Sequence, residues 1–172
     1  MKRVAALVAC GLLAGCATRP APEPVRVPPR VDRPSGSSAG LVSPQEYVGE
    51  SASRTLLLVR AAELIAERVP GLTSEADRIA AGQRGIAAQL NLAGRRLNIL
   101  PSATLRPAHA AELQFLERSA DPARAWRSLA MRSIDACIIR EKSYAERGSS
   151  PTLRPVARFA ASVCEEQRTN LK

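Results

Sequence analysis

Ser43–Arg68 reads SPQEYVGESASRTLLLVRAAELIAER, and the fold turns on what this stretch becomes. Ser43 stands where a helix N-cap belongs, Pro44 suits the first helical position, and Glu46 lies three residues on, the spacing of a reciprocal capping box. Beyond them Tyr47, Val48, Ser51, Ala52, Thr55, Leu58, Val59, Ala62, Ile65, Ala66 and Val69 recur every three or four residues. That interval gathers them on one side of a helix, so the stretch predicts an amphipathic helix with one apolar stripe to bury. Pro70-Gly71 ends it.

A stripe needs partners, and the chain downstream supplies them. A second helix is expected from Ser74 to Leu97, with Ala76, Ile79, Ala80, Gln83, Ile86, Ala87, Leu90 and Leu97 near one face. Gly82, Gly85 and Gly94 interrupt it, each costing about 1 kcal/mol relative to alanine. They mark either a close helix approach or a weaker helix. NILPSATLRP, residues 98–107, is broken by Pro101 and Pro107. A short helix follows from Ala108 to Arg118. Asp121-Pro122 opens a third long helix with Trp126, Leu129, Ala130, Ile134, Cys137, Ile138 and Tyr144 inward. Gly148-Ser149-Ser150 turns the chain. A last helix, from Pro151 to Asn170, carries Val156, Phe159, Ala160, Val163, Cys164 and Leu171. The expectation is all-α: a four-helix bundle whose connection between the second and third long helices, about 22 residues, is a long crossover containing a short extra helix, the ferritin-like arrangement.

Composition agrees. Aromatic residues are 3% of the 172, alanine, leucine and arginine dominate, and β-branched runs are few, which favours helix. The formal charge is +9, carried almost entirely by arginines interleaved with glutamates along every helix. A basic stripe with stacking aromatics, which single-strand nucleic-acid binders require, does not emerge. The arginines read as a solvated surface, or as a means of binding anionic material. No nucleic-acid partner is expected.

Upstream of the folded part the pattern changes. Met1, Lys2 and Arg3 are followed by an apolar run, Val4–Leu13, too short to cross a bilayer of about 30 Å as a helix. It runs into Leu13-Ala14-Gly15-Cys16, which resembles the bacterial lipobox. By that resemblance residues 1–15 are a lipoprotein signal peptide and Cys16 is the acylated first residue of the mature chain. Stable anchoring needs more than one acyl chain, and acylation of both sulfur and amino terminus meets that need. Loss of Lys2 and Arg3 takes the charge from +9 to +7. Ala17, where an aspartate is absent, points to the outer membrane. Residues 16–42 form a tether: Pro20, Pro22, Pro24, Pro28, Pro29 and Pro34 favour extended polyproline II, reaching roughly 50 Å at about 3.1 Å per residue. Ser35–Gly40 (SGSSAG) is a hinge. Residues 43–172 are the folded domain.

SPQEYVGESASRTLLLVRAAELIAER, SEADRIAAGQRGIAAQLNLAGRRLNI and YAERGSSPTLRPVARFAASV together resemble the bacterial envelope family known as domain of unknown function 4142. The likeness spans Ser43–Leu171 and rests on pattern and hairpin spacing. It implies a ferritin-like bundle exported to the envelope, with no established activity. Members carry histidines on inner helices, including an Asp-His pair in the second. Here that place reads Gly82-Gln83, and other such positions read Cys137 and Gln167 or Arg168.

The chemistry-bearing residues are few. His109 is the one histidine, set in the crossover on a segment expected to be exposed. Glu-x-x-His motifs, which di-iron centres of this fold use, are missing. Glu50, Glu63, Glu141 and Glu146 fit surface pairs, and a Ser-His-Asp triad would have to recruit His109. No catalytic residue, metal site or cofactor is expected. Cys137 and Cys164 lie on the apolar stripes of the last two helices, equidistant from the turn at Ser150-Pro151, so antiparallel packing sets them at one height. They form either a structural disulfide in an oxidising periplasm or two small core cysteines whose Cα atoms stay beyond about 7 Å.

The sequence therefore predicts a non-enzymatic, lipid-anchored periplasmic bundle, held to the membrane through N-terminal acyl chains. Its partner would be an unknown envelope protein. The alternative is a binding module for anionic envelope components such as lipopolysaccharide or polysaccharide. A ferritin-like metal protein is a third reading.

Overall fold

The computed structural model describes residues 42–171; the expected leader (1–15), acylated Cys16 and the tether up to residue 41 lie outside the described residues. Among the described residues the chain is all-α. It forms five helices, α1 Pro44–Arg68, α2 Thr73–Arg96, α3 Pro107–Arg118, α4 Pro122–Arg147 and α5 Arg154–Asn170, with a single 3-10 turn at Pro70–Leu72.

Local chemistry sets most of these limits. Ser43 Oγ accepts the Glu46 N–H at 3.1 Å, but the reciprocal half of the capping box is missing. The Glu46 carboxylate turns instead to the Arg106 guanidinium at 2.8 Å. Asp121 caps α4 by accepting the Arg124 N–H at 3.0 Å, with Pro122 just inside. The end of α2 is a Schellman closure. Ile99 N–H reaches back to Gly94 C=O at 2.9 Å, Asn98 N–H to Arg95 C=O at 3.3 Å, and Asn98 takes the left-handed φ of 54° that the motif requires. A side chain at Gly94 would collide with the Ile99 carbonyl, so this glycine serves the chain reversal.

The last helix starts at Arg154 rather than at Pro151. Pro155 explains the shift: inside a helix its ring would strike the carbonyl four residues earlier, so it is tolerated only within the first turn.

α1 packs on α2 and α4 on α5, and the two hairpins meet through α1–α4 and α2–α5, with α3 laid against α1 and α4. Tyr47, near the start of α1, bonds Glu141, near the end of α4. Ile79, near the start of α2, bonds Gln167, near the end of α5. Both inter-hairpin pairs are therefore antiparallel. α3 runs back alongside α1, as Arg106 N–H bonds Ser53 and the Leu116 carbonyl accepts from Arg68.

Trp126, Tyr47, Leu57, Leu58, Ile65, Ile86, Leu90, Leu116, Ile134 and Leu153 are fully enclosed, each side chain of this size contributing about 1.5–3 kcal/mol by leaving water. α1 buries more than the expected stripe. Leu57 and Ala61 are also fully enclosed, because α2, α3 and α4 cover it from three sides. Phe159, expected inward, is 41% exposed. Gly82 is a close-approach position, since a Cβ there would meet Gln167 and Val163 of α5; at Gly85 the nearest atom, in Phe159, is 3.9 Å away.

Candidate functional site

Two of the four glutamates that the sequence offered as surface pairs, Glu50 and Glu141, are gathered where α1, α3 and α4 meet. Glu141 is 1% exposed. It accepts from the Tyr47 hydroxyl at 2.6 Å and from the Ser51 hydroxyl at 2.8 Å, so both oxygens have a donor although no water reaches them. Tyr47 stacks on Tyr144, centroids 3.7 Å apart. Burial, then the neighbouring Glu141 charge, pushes the Tyr47 phenol far above its ordinary range, so it stays a donor at every accessible pH.

One helical turn towards α3 sits Glu50, partly shielded. Arg54 (3.0 Å), Arg106 (3.0 Å) and Arg140 (3.1 Å) surround its carboxylate, and His109 Nε2 lies at 3.4 Å. Burial alone would raise its pKa, but the Arg54 hydrogen bond and the Arg140 charge hold it below the ordinary carboxylate value. Arg140 Nε also approaches Glu141 at 3.5 Å, linking the two carboxylates. Gly49 leaves the room through which the Arg106 guanidinium passes, its Nη2 being 3.0 Å from where a Cβ would stand.

His109 is 3% exposed, which corrects the expectation of an exposed segment. Its Nδ1 lies 2.8 Å from Ser53 Oγ, and that oxygen accepts the Arg106 backbone N–H, also at 2.8 Å. A hydroxyl has one proton to give, so the arrangement is met when Ser53 donates to Nδ1 and Nε2–H faces Glu50. Burial first, and then Arg54, lowers the His109 pKa, which keeps the ring neutral. Ser53, His109 and Glu50 thus have the composition of a hydrolase triad. Ser53 is nevertheless 2% exposed and its oxygen faces the backbone of the crossover. The group positions α3; it does not present a nucleophile.

A carboxylate-bridged metal pair does not fit these residues. It requires inward glutamates with Glu-x-x-His ligands, whereas here guanidinium groups occupy the space around Glu50 and hydroxyls occupy Glu141. Among the described residues no three His, Cys, Asp or Glu side chains converge to hold a metal ion. Glu63 does form a surface pair, with Arg84 at 2.6 Å, and Glu146 is exposed.

A second polar locus joins α2, α4 and α5. Cys137 and Cys164 have their sulfurs 2.19 Å apart, at disulfide distance, and their Cα atoms 6.5 Å apart. Gln83 donates to Gln167 at 2.8 Å and approaches Cys164 Sγ at 3.8 Å, while Gln167 donates to the Ile79 carbonyl at 3.0 Å. Gln83, Cys137 and Gln167, picked out separately in the sequence, meet here. Arg168 instead points outward to Asp135 at 2.7 Å. Cys16 lies outside the described residues.

Sequence reasoning missed the inner cluster because its members look like surface residues. The available signal was Ser51 and Thr55 on the apolar stripe of α1: polar side chains at core positions demand buried partners. Compared with protein-family models, with curated proteins and with solved structures, the chain matches none.

Proposed function

We propose that this chain is a lipid-anchored periplasmic protein of the bacterial envelope, on the outer membrane, whose domain acts as a structural or adaptor-like helical bundle and not as an enzyme. The observation that carries the reading is the internal commitment of the chemistry-bearing groups. Glu50, Glu141, Ser53 and His109 are engaged with one another and with arginines, in bonds that hold α3 onto α1 and α4. Such a network supports a scaffold. The Leu13-Ala14-Gly15-Cys16 sequence, read as a lipobox, supports the anchor.

The pairing of two hairpins joined by a crossover supports a ferritin-like four-helix bundle. The meeting of Gln83, Cys137 and Gln167 in one place supports kinship with domain of unknown function 4142, because positions that carry histidines in a family should cluster only if the fold is shared. Fold kinship by itself carries no chemistry.

The test is the intact mass of protein extracted from membranes, beside a Cys16→Ala variant. Acyl mass on a chain beginning at Cys16, lost together with membrane association in the variant, is the expected result. An unmodified chain in the soluble fraction overturns the anchor, and a stoichiometric metal or cofactor in the pure protein overturns the scaffold reading.

A further inference from the structure

Positive charge in the helical domain is in excess at one end. At the end where Val42 leads into α1, α2 finishes in Arg95 and Arg96, α4 finishes in Arg147, and α5 begins with Arg154 and Arg158. Arg95, Arg96, Arg147 and Arg158 are exposed, and none pairs with a described carboxylate. Three acids of this end are consumed, Glu46 and Glu50 by Arg106 and Glu141 by its internal bonds, and Glu146 stands exposed beside Arg147. At the opposite end Glu67, Glu75, Asp77, Glu117, Asp121 and Glu166 are matched in number by Arg68, Arg78, Arg118, Arg124, Arg127 and Arg168, so that end is electrically balanced.

Helix dipoles account for only part of this excess. They would favour cations at helix C-termini and anions at N-termini, which suits Arg95, Arg96 and Arg147. Yet Arg154 and Arg158 sit in the opening turns of α5, whose first turn holds no acid. At the far end Glu67, Glu117 and Glu166 in the closing turns of α1, α3 and α5 are offset by Arg68, Arg118 and Arg168 in the same turns. The excess of arginine at the Val42 end therefore draws on a helix N-terminus as well as on two C-termini.

Apolar side chains stand among the arginines. Leu92 is 52% exposed and Leu100 is 73% exposed. Leu92 borders a groove of about 380 Å³ with Arg96, Pro151 and Pro155. Leu100 follows the α2 terminus by one turn. Arginines interspersed with protruding leucines suit a lipid interface, where guanidinium groups meet phosphates and apolar tips enter the acyl boundary. A hydrated polysaccharide offers nothing to the leucines.

We infer that the end of the domain at which Val42 enters is a docking face for an anionic lipid surface, built on Arg95, Arg96, Arg147 and Arg158 with Leu92 and Leu100. This rests on the lipid-anchored reading for the presence of a membrane beside the chain. The domain would then rest on the bilayer with its basic end down, leaving the electrically balanced end outward.

The test is binding of the full chain carrying Cys16→Ala, so that acylation cannot contribute, to vesicles of phosphatidylcholine with and without phosphatidylglycerol. Each arginine near an anionic surface contributes about 1 kcal/mol, about fivefold in partitioning. Arg95→Gln, Arg96→Gln and Arg147→Gln combined should therefore weaken binding to the anionic vesicles about a hundredfold. Arg118→Gln, Arg124→Gln and Arg127→Gln, the same charge change at the far end, should leave binding within about fivefold, since screening cuts off contacts beyond the Debye length. Lysine at the first three positions should restore binding, and circular dichroism checks that each variant folds. Equal losses in both triple variants, indifference to phosphatidylglycerol, or tighter capture by soluble dextran sulfate than by vesicles overturns the docking face. An unacylated native chain whose variants still sort by end removes the anchor and keeps the face; an acylated chain indifferent to phosphatidylglycerol keeps the anchor and removes the face.

Discussion

Glu141 stands for the residue scale. A carboxylate taken wholly out of water is tolerated only when donors replace the solvent, and Tyr47 and Ser51 do so at 2.6 and 2.8 Å. Removing the acceptor strands both hydroxyls, while Arg140 keeps Glu50 as its partner. Glu141→Ala should therefore lower stability by about 3–5 kcal/mol. Glu141→Gln keeps one acceptor but turns an amide donor towards the other hydroxyl, and should cost about 1–3 kcal/mol. Urea unfolding of the two variants orders them, and a smaller loss for alanine than for glutamine would contradict the bonding described. None of this was legible in the sequence, where Glu141 sits in REKSYAER among residues that look like a charged outer face.

At the scale of elements, helix ends were read well wherever a cap or a proline acts locally. Ser43, Asp121, Pro44 and Pro122 hold the starts they suggested. The end of α2 was less legible, since an asparagine in the left-handed region is visible only in the backbone. Asn98 at φ 54° takes a conformation that glycine adopts at less cost. Asn98→Gly relieves the left-handed penalty of about 1–2 kcal/mol and loses part of that gain to glycine's greater freedom in the unfolded chain, so Tm should rise by roughly a degree or more, whereas Asn98→Val should lower it. The α4–α5 hairpin carries a second test. Cys137 and Cys164 are 27 residues apart, and closing such a loop is worth about 3 kcal/mol in the chain-entropy account. The double variant Cys137→Ala, Cys164→Ala should lose about that much in denaturant titration, and wild-type protein in reductant should approach it.

At the scale of the whole molecule, α3 is bound to the rest through Glu50, His109, Ser53 and the arginines around them, so acid should loosen it. His109 has a lowered pKa in the fold. The unfolded chain therefore takes up a proton near pH 6.5 while the folded ring refuses it, and stability falls as pH drops below that value. Glu50 also has a lowered pKa; its stabilisation is present above the ordinary value of 4.5 and is lost as pH falls from there through the folded value. The two effects add in sign. The free energy of unfolding should decline from pH 7 towards pH 4, with a slope of at most about 1.4 kcal/mol per pH unit for each group, and Tm should fall with it. His109→Gln, which does not titrate, should flatten the upper part of that decline; an unchanged slope in this variant would remove His109 from the account.

By itself the sequence determined the helices, their order and the hairpins, because caps, prolines and the three-to-four-residue apolar period act between near neighbours in the chain. It also placed Cys137 and Cys164 at one height, since equal distances from a turn become equal heights in an antiparallel pair. Only the tertiary structure decided that Glu50, Glu141 and His109 are internal. Their partners come from α1, α3 and α4 across separations such as 90 residues between Ser51 and Glu141, and no local pattern encodes which polar side chains three helices will enclose when they close on one another.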